Sequence, residues 1–215
     1  MIKLYIRDIS ALFNGAWARF LTLLPAERRE AAQRFRNDSD AARCIGAWLL
    51  LRDAFACEGV NIDGLPLCRN AYGKPFFEDQ LEFSISHAGK YAAAAISDGP
   101  VGADIEEARC KLSVARRFFS ASEAEAAQAR SGEAQQLYLQ RLWVAKEAFV
   151  KALGTGINTP FNSFSVVLDE TSATLLQDIT PLPMQITEFS EGDYRIAVAG
   201  IGEAVRCDLS RECRP

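Results

Sequence analysis

No Cys-x-x-Cys pair occurs among the six cysteines, which fall at positions 44, 57, 68, 110, 207 and 213. Their spacing is irregular and the start of the chain has no secretory signature, so free thiols in a reducing cytoplasm are expected rather than a disulfide framework. No apolar run approaches the ~18 to 20 residues that cross a bilayer, so no membrane role is expected. The pattern Gly-x-x-x-x-Gly-Lys-Ser/Thr is also missing, and Gly154 and Gly156 therefore read as a helix end and a turn, not a phosphate loop. There is no excess of positive charge. The net value of -4 gives no argument for binding nucleic acid, yet leaves room for a local basic pocket that takes an anion. His87 is the only histidine, and a lone histidine by itself reads as a structural residue.

What is present is an ordinary globular balance, 49% hydrophobic and 24% charged over 215 residues, with enough apolar material for a real core. The length exceeds one small domain and falls short of two full-sized ones. Met1 to Ile6 reads as an immediate first strand, and residues 10–57 as mostly helical, with helix starts at Pro25 and at Asp38 to Asp40. Turn signals at Asp63-Gly64 and Tyr72-Gly73-Lys74-Pro75 mark 59–80 as loop and short strand. Strands are expected at Leu81–His87 and Tyr91–Ser97. Ala92 to Ala95 are poor strand formers, and their small size suits a strand that a helix approaches closely. Ser120 and Glu123 form a capping-box pattern. A long helix is expected from Glu133 to Leu153, stopped by Gly154, with further strands at 163–168, 183–189, 194–199 and 204–208.

Two segments carry the chemistry. Asp104 and Glu106 lie on an expected strand, where a period of two turns both to one side, roughly 7 Å apart. In the helix Trp143 to Lys151, the residues Trp143, Glu147 and Lys151 follow at i, i+4 and i+8 and share a face. If strand and helix pack together, three carboxylates can converge on one hard cation, for which magnesium is suited, and Asp104 then faces a solvent-filled cleft. The plainer readings are a charged strand edge and a surface ion pair worth ~0.3 kcal/mol. Apolar neighbours Leu142, Val144, Phe149, Val150 and Leu153 weaken the second, since they bury much of the helix. Lys146 points away from Glu147, leaving it open between phosphate contact and surface support.

The segments Val101-Gly-Ala-Asp-Ile-Glu106 and Trp143-Val-Ala-Lys-Glu-Ala-Phe-Val-Lys151 resemble the two signature motifs of the 4′-phosphopantetheinyl transferase superfamily, Gly-x-Asp-x-Glu and Trp-x-x-Lys-Glu-Ala/Ser-x-x-Lys. Leu24 to Phe35, Asp40 to Arg52, Tyr72-Gly-Lys-Pro75, Phe83-Ser-Ile-Ser-His87 and Phe118-Phe-Ser120 extend the resemblance over most of the chain, toward the surfactin type. Ser84 departs from the family's asparagine, and Ala103 from its β-branched residue.

The resemblance implies an α+β fold of two similar halves in pseudo-two-fold arrangement, residues 1–99 and 100–215, with the active site between them. It implies transfer of the phosphopantetheine arm of coenzyme A to a serine of an apo acyl or peptidyl carrier protein of fatty acid, polyketide or nonribosomal peptide synthesis. Adenosine 3′,5′-bisphosphate would be released. Asp104, Glu106 and Glu147 would hold magnesium, with manganese able to substitute, and Glu147 and Lys151 would act in catalysis. Arg28, Lys74, Ser86, His87 and Lys146 would bind coenzyme A. A cytoplasmic monomer is implied. A metal-dependent phosphohydrolase of nucleotide pyrophosphates and a non-catalytic coenzyme A-binding protein are the alternatives.

Overall fold

The computed structural model describes residues 1–107 and 110–209. Strand β1 (Ile2–Asp8) leads through 3-10 turns at Ser10–Leu12 and Ala16–Leu23 to helices α1 (Ala26–Arg34) and α2 (Asp38–Cys57). The expectation of regular helix from residue 10 is corrected here: Asn14 and Gly15 have φ of 56° and 79°, a left-handed pair that no α-helix accommodates. Short strands β2 (Cys68–Arg69) and β3 (Pro75–Phe76) frame the Tyr72–Lys74 turn, and β4 (Glu82–Ala88), β5 (Tyr91–Ser97) and β6 (Val101–Glu106) follow. Helices α3 (Leu112–Phe118), α4 (Ala121–Gln128) and α5 (Gly132–Leu153) precede β7 (Ser165–Leu168), β8 (Ala173–Leu176), β9 (Met184–Glu191), β10 (Tyr194–Ile201) and β11 (Ala204–Arg206). The mixture is α+β, as expected. The Ser120–Glu123 capping box forms, and Gly154 ends α5 at φ 71°.

Two sheets result, ordered β11-β1-β5-β4 and β6-β10-β9-β8-β7. The long helix α2 buries Ile45, Trp48, Leu51 and Phe55 against the first, and α5 buries Leu142, Ala145, Ala148 and Phe149 against the second. A third cluster, with Ile2, Leu4, Val101, Ile105, Ile196 and Val198, fills the space between the sheets. The layers run helix, sheet, sheet, helix, with β5 and β10 buried on both faces.

The four alanines of β5 show why small residues sit there. Ala92 and Ala94 face α2, whereas Ala93 and Ala95 face the other sheet, and all four are fully buried. Close helix approach explains one face of the strand, and sheet-on-sheet packing explains the other. Cys44, Cys68 and Cys110 are free thiols, as expected. Cys57 is disulfide-bonded instead, because sequence spacing says nothing of spatial distance, and Cys213 lies outside the described residues.

Candidate functional site

Gly102 sets the geometry. A β-carbon at this position of β6 would run into the carbonyl oxygen of Ala148 and the amide nitrogen of Ala152. Helix and strand are therefore in backbone contact, the close approach that a strand glycine permits. This brings the shared face of α5 over Asp104. The ammonium of Lys151 donates to Asp104 Oδ1 at 2.6 Å, to Ser86 Oγ at 3.2 Å and to the Ala103 carbonyl at 3.2 Å. Ser86 Oγ in turn donates to Asp104 Oδ1 at 2.8 Å. Residues from β4, β6 and α5 thus meet at one carboxylate oxygen.

Asp104 does not face open solvent as expected. It is 3% exposed, and its second oxygen, Oδ2, is buried with no hydrogen-bond partner among the described residues. Burial, then Asp104, and more weakly Glu147 push the Glu106 carboxyl up to about 7, against the pull of Lys151 and the Trp143 indole. Burial and Asp104 also raise Glu147, with Lys151 opposing. Repulsion from Asp104 thus adds to the cost of burial at both glutamates, and Lys151 offsets it only in part.

These are hard oxygen donors around a buried oxygen that lacks a partner, a set that fits a small divalent cation. As the side chains stand, no three acidic, histidine or cysteine groups among the described residues form a metal-binding cluster. The convergence expected from spacing is electrostatic, with Lys151 supplying the positive charge at Asp104.

Beside this cluster a cleft of about 480 Å³ is lined by Arg28, Arg69, Lys74, Ser86, His87 and Lys151 among others, with no carboxylate in its wall among the described residues. Arg69 pairs with Glu27 and Lys74 with Glu82, just outside. Lys74 also donates to the Val101 carbonyl at 3.1 Å. Arg28 forms no ion pair with the described residues. Its guanidinium lies 4.9 Å from the Trp48 ring centre, its Nε lacks a hydrogen-bond partner, and burial lowers its pKa. A cation held in this state favours an incoming anion. His87 is accessible from the cleft, but the concave wall around it lowers its pKa by desolvation, aided by Arg43 and Lys151.

Lys146 is the expected coenzyme A contact that the structure places elsewhere. It is fully buried on the opposite side of α5, paired with Glu123 at 2.9 Å, and absent from the cleft wall. Burial lowers its pKa, with Glu123 opposing. The reason lies in helical geometry: adjacent residues diverge by about 100°, so Glu147 and Lys146 cannot share a face. The remaining expected residues, Arg28, Lys74, Ser86, His87, Asp104, Glu106, Glu147 and Lys151, gather around the cleft and the acid cluster. Sequence reading missed Arg69, which carried no motif, and the packing role of Gly102, which an isolated glycine among apolar strand residues does signal. It also missed Gln140, whose side-chain amide donates to the Glu106 carbonyl at 2.9 Å and fixes the end of β6 to α5.

Comparison with known proteins agrees with the motifs. The family profile described as 4′-phosphopantetheinyl transferase superfamily matches residues 100–199, and that for the 4′-phosphopantetheinyl transferase N-terminal region matches 13–98. A 4′-phosphopantetheinyl transferase of Bacillus subtilis is 35% identical over 76% of this chain and 74% of its own. The transferase Sfp of Bacillus subtilis strain 168 is 32% identical over 84% of this chain and 83% of its own. The transferase gsp of Aneurinibacillus migulanus is 32% identical over 75% of this chain and 69% of its own. No helix among the described residues is long and apolar enough to cross a membrane.

Proposed function

This chain belongs to the 4′-phosphopantetheinyl transferase superfamily, as an enzyme of the surfactin type, and from that premise we propose how its residues divide the reaction. The donor is coenzyme A and the acceptor is a serine hydroxyl of an apo acyl or peptidyl carrier protein. The hydroxyl oxygen bonds to the β-phosphorus while the bond to the α-phosphate oxygen breaks. Holo carrier and adenosine 3′,5′-bisphosphate leave. The observation that carries this reading is Lys151, which lines the basic cleft and at the same time holds Asp104. A pyrophosphate seated there lies between a cationic wall and the carboxylates that can handle a proton.

In this reading Arg28, Lys74 and His87, with Ser86, bind the phosphates of coenzyme A, and Lys151 stabilises charge at the reacting group. Glu147, whose proton affinity is raised, accepts the serine proton. Asp104, Glu106 and Glu147 would hold magnesium, or manganese in its place, which when bound neutralises pyrophosphate charge. In this reading the division into halves 1–99 and 100–215 gives Arg28, Lys74, Ser86 and His87 to the first and the three acids to the second, Lys151 of the second reaches both cleft and acids, and β11 crosses back to the first sheet. A cytoplasmic monomer serving carriers of fatty acid, polyketide or nonribosomal peptide synthesis completes the proposal. The phosphohydrolase and non-catalytic readings have no support among the relatives.

The deciding experiment is the mass of a purified apo carrier protein after incubation with the enzyme, magnesium and coenzyme A. A gain of one phosphopantetheine group is expected; hydrolysis of coenzyme A with an unchanged carrier would overturn the reading. A charge-assisted hydrogen bond contributes ~1.5 to 3 kcal/mol, so His87→Ala is expected to raise the coenzyme A KM about ten-fold or more. If the imidazole meets the ribose 3′-phosphate, dephospho-coenzyme A feels the change much less. An unchanged KM returns His87 to a structural role.

A further inference from the structure

We infer that the buried Lys146–Glu123 pair is a positioning device that fixes the rotation of α5 and so aims Glu147 and Lys151 at Asp104; this rests on the transferase reading above. The sequence points the two residues to other tasks: spacing leaves Lys146 open between phosphate contact and surface support, the family resemblance favours the contact, and the capping box claims Glu123. The structure joins them instead.

All three N–H bonds of the Lys146 ammonium are used. They go to Glu123 Oε2 at 2.9 Å, to the Phe161 carbonyl at 2.7 Å and to the Phe164 carbonyl at 2.9 Å. Glu123 is equally saturated, its Oε2 also accepting the Ser120 amide at 2.9 Å and its Oε1 the Val166 amide at 2.7 Å. The rings of Phe164 and Phe119 close over the ammonium at 4.2 Å and 5.4 Å. Lys146 is 0% and Glu123 3% exposed. The network fastens α5 to the start of α4, to the turn after it and to β7.

A buried ion pair is a poor source of stability, because well-packed apolar side chains of the same volume do as well or better. What such a pair supplies is direction. Apolar packing tolerates a few degrees of rotation of α5, whereas three directed hydrogen bonds from one ammonium do not. Lys146 immediately precedes Glu147, so any rotation that loosens this anchor turns the carboxylate and the Lys151 ammonium away from Asp104. On the far side of the helix, Gly102 sets how closely α5 approaches β6; the ion pair sets its angle.

The test replaces the charged pair by a neutral one of similar volume, Lys146→Met with Glu123→Gln, in the full chain. Coenzyme A affinity is measured by calorimetry, and transfer to an apo carrier is expressed per coenzyme A-binding site. Since a misplacement of about 1 Å costs on the order of 10²-fold, kcat per site is expected to fall at least about 10-fold with coenzyme A affinity unchanged. An unchanged kcat per site would overturn the inference, as would a kcat held constant while coenzyme A affinity drops, which would make Lys146 a phosphate ligand. If the double variant does not fold, Glu123→Gln alone decides: kcat reduced at unchanged affinity supports positioning, and kcat unchanged overturns it. A wild-type protein that adds no mass to the carrier defeats the transferase reading itself, a result distinct from any of these.

Discussion

Gly102→Ala is expected to remove most turnover and to lower the unfolding temperature together. The added methyl meets the backbone of Ala148 and Ala152, and backbone cannot swing aside as a flexible side chain can. Helix α5 must retreat from β6, and overpacking of this kind costs roughly 1 to 3 kcal/mol. In a chain of this size that is a fall in Tm of about 2 to 4 °C per kcal/mol. The retreat also carries Glu147 and Lys151 away from Asp104, and a displacement of about 1 Å is worth on the order of 10²-fold in rate. Thermal unfolding and carrier transfer measured on the same preparation check both parts. Wild-type kcat in the folded variant would show that the close approach has no part in catalysis.

Asp104→Asn is expected to lower kcat at least about 10²-fold while the chain stays folded. The substitution keeps shape and one carbonyl oxygen, so Ser86 and Lys151 retain an acceptor. It removes the charge that holds the Lys151 ammonium at 2.6 Å and that helps to raise both Glu106 and Glu147. With that charge gone, the proton affinities of the two glutamates fall toward ordinary values. The proposed divalent cation also loses its most buried donor. Circular dichroism and carrier transfer with and without a chelator provide the check. Full transfer by the variant, or by the wild type in excess chelator, would sink the role given to Asp104.

The elements that sequence reading found are those whose ends carry punctuation. Asp38 to Asp40 at the start of α2, Ser120 with Glu123 at α4 and Gly154 after α5 all mark chain direction through local chemistry. The ones it missed lack such marks. Helix α3 spans seven residues and buries only Ala115, and β8 is four residues long. The acid cluster was legible because strand and helix periods fix which side chains share a face. The inward course of Lys146 was not, since its partner Glu123 lies on another helix and already had a complete local explanation as a cap. The pocket cation Arg69 was illegible for a similar reason: its neighbourhood comes from the return of α1 over β2, a long-range event without a local signal.

Strand β11 runs parallel to β1, with Ala204 opposite Ile2 and Arg206 opposite Leu4. The outer edge of β1 is therefore covered by a segment made about 200 residues later. A ribosome adding roughly 5 to 20 residues per second needs on the order of 10 to 40 s between the two. Through that interval the nascent chain presents the unpaired N–H and C=O groups of a hydrophobic strand, the surface on which chains join edge to edge. Synthesis of this enzyme thus includes a period in which the edge of its first strand waits for its β11 partner, and a chaperone that holds extended apolar segments would find an open edge there.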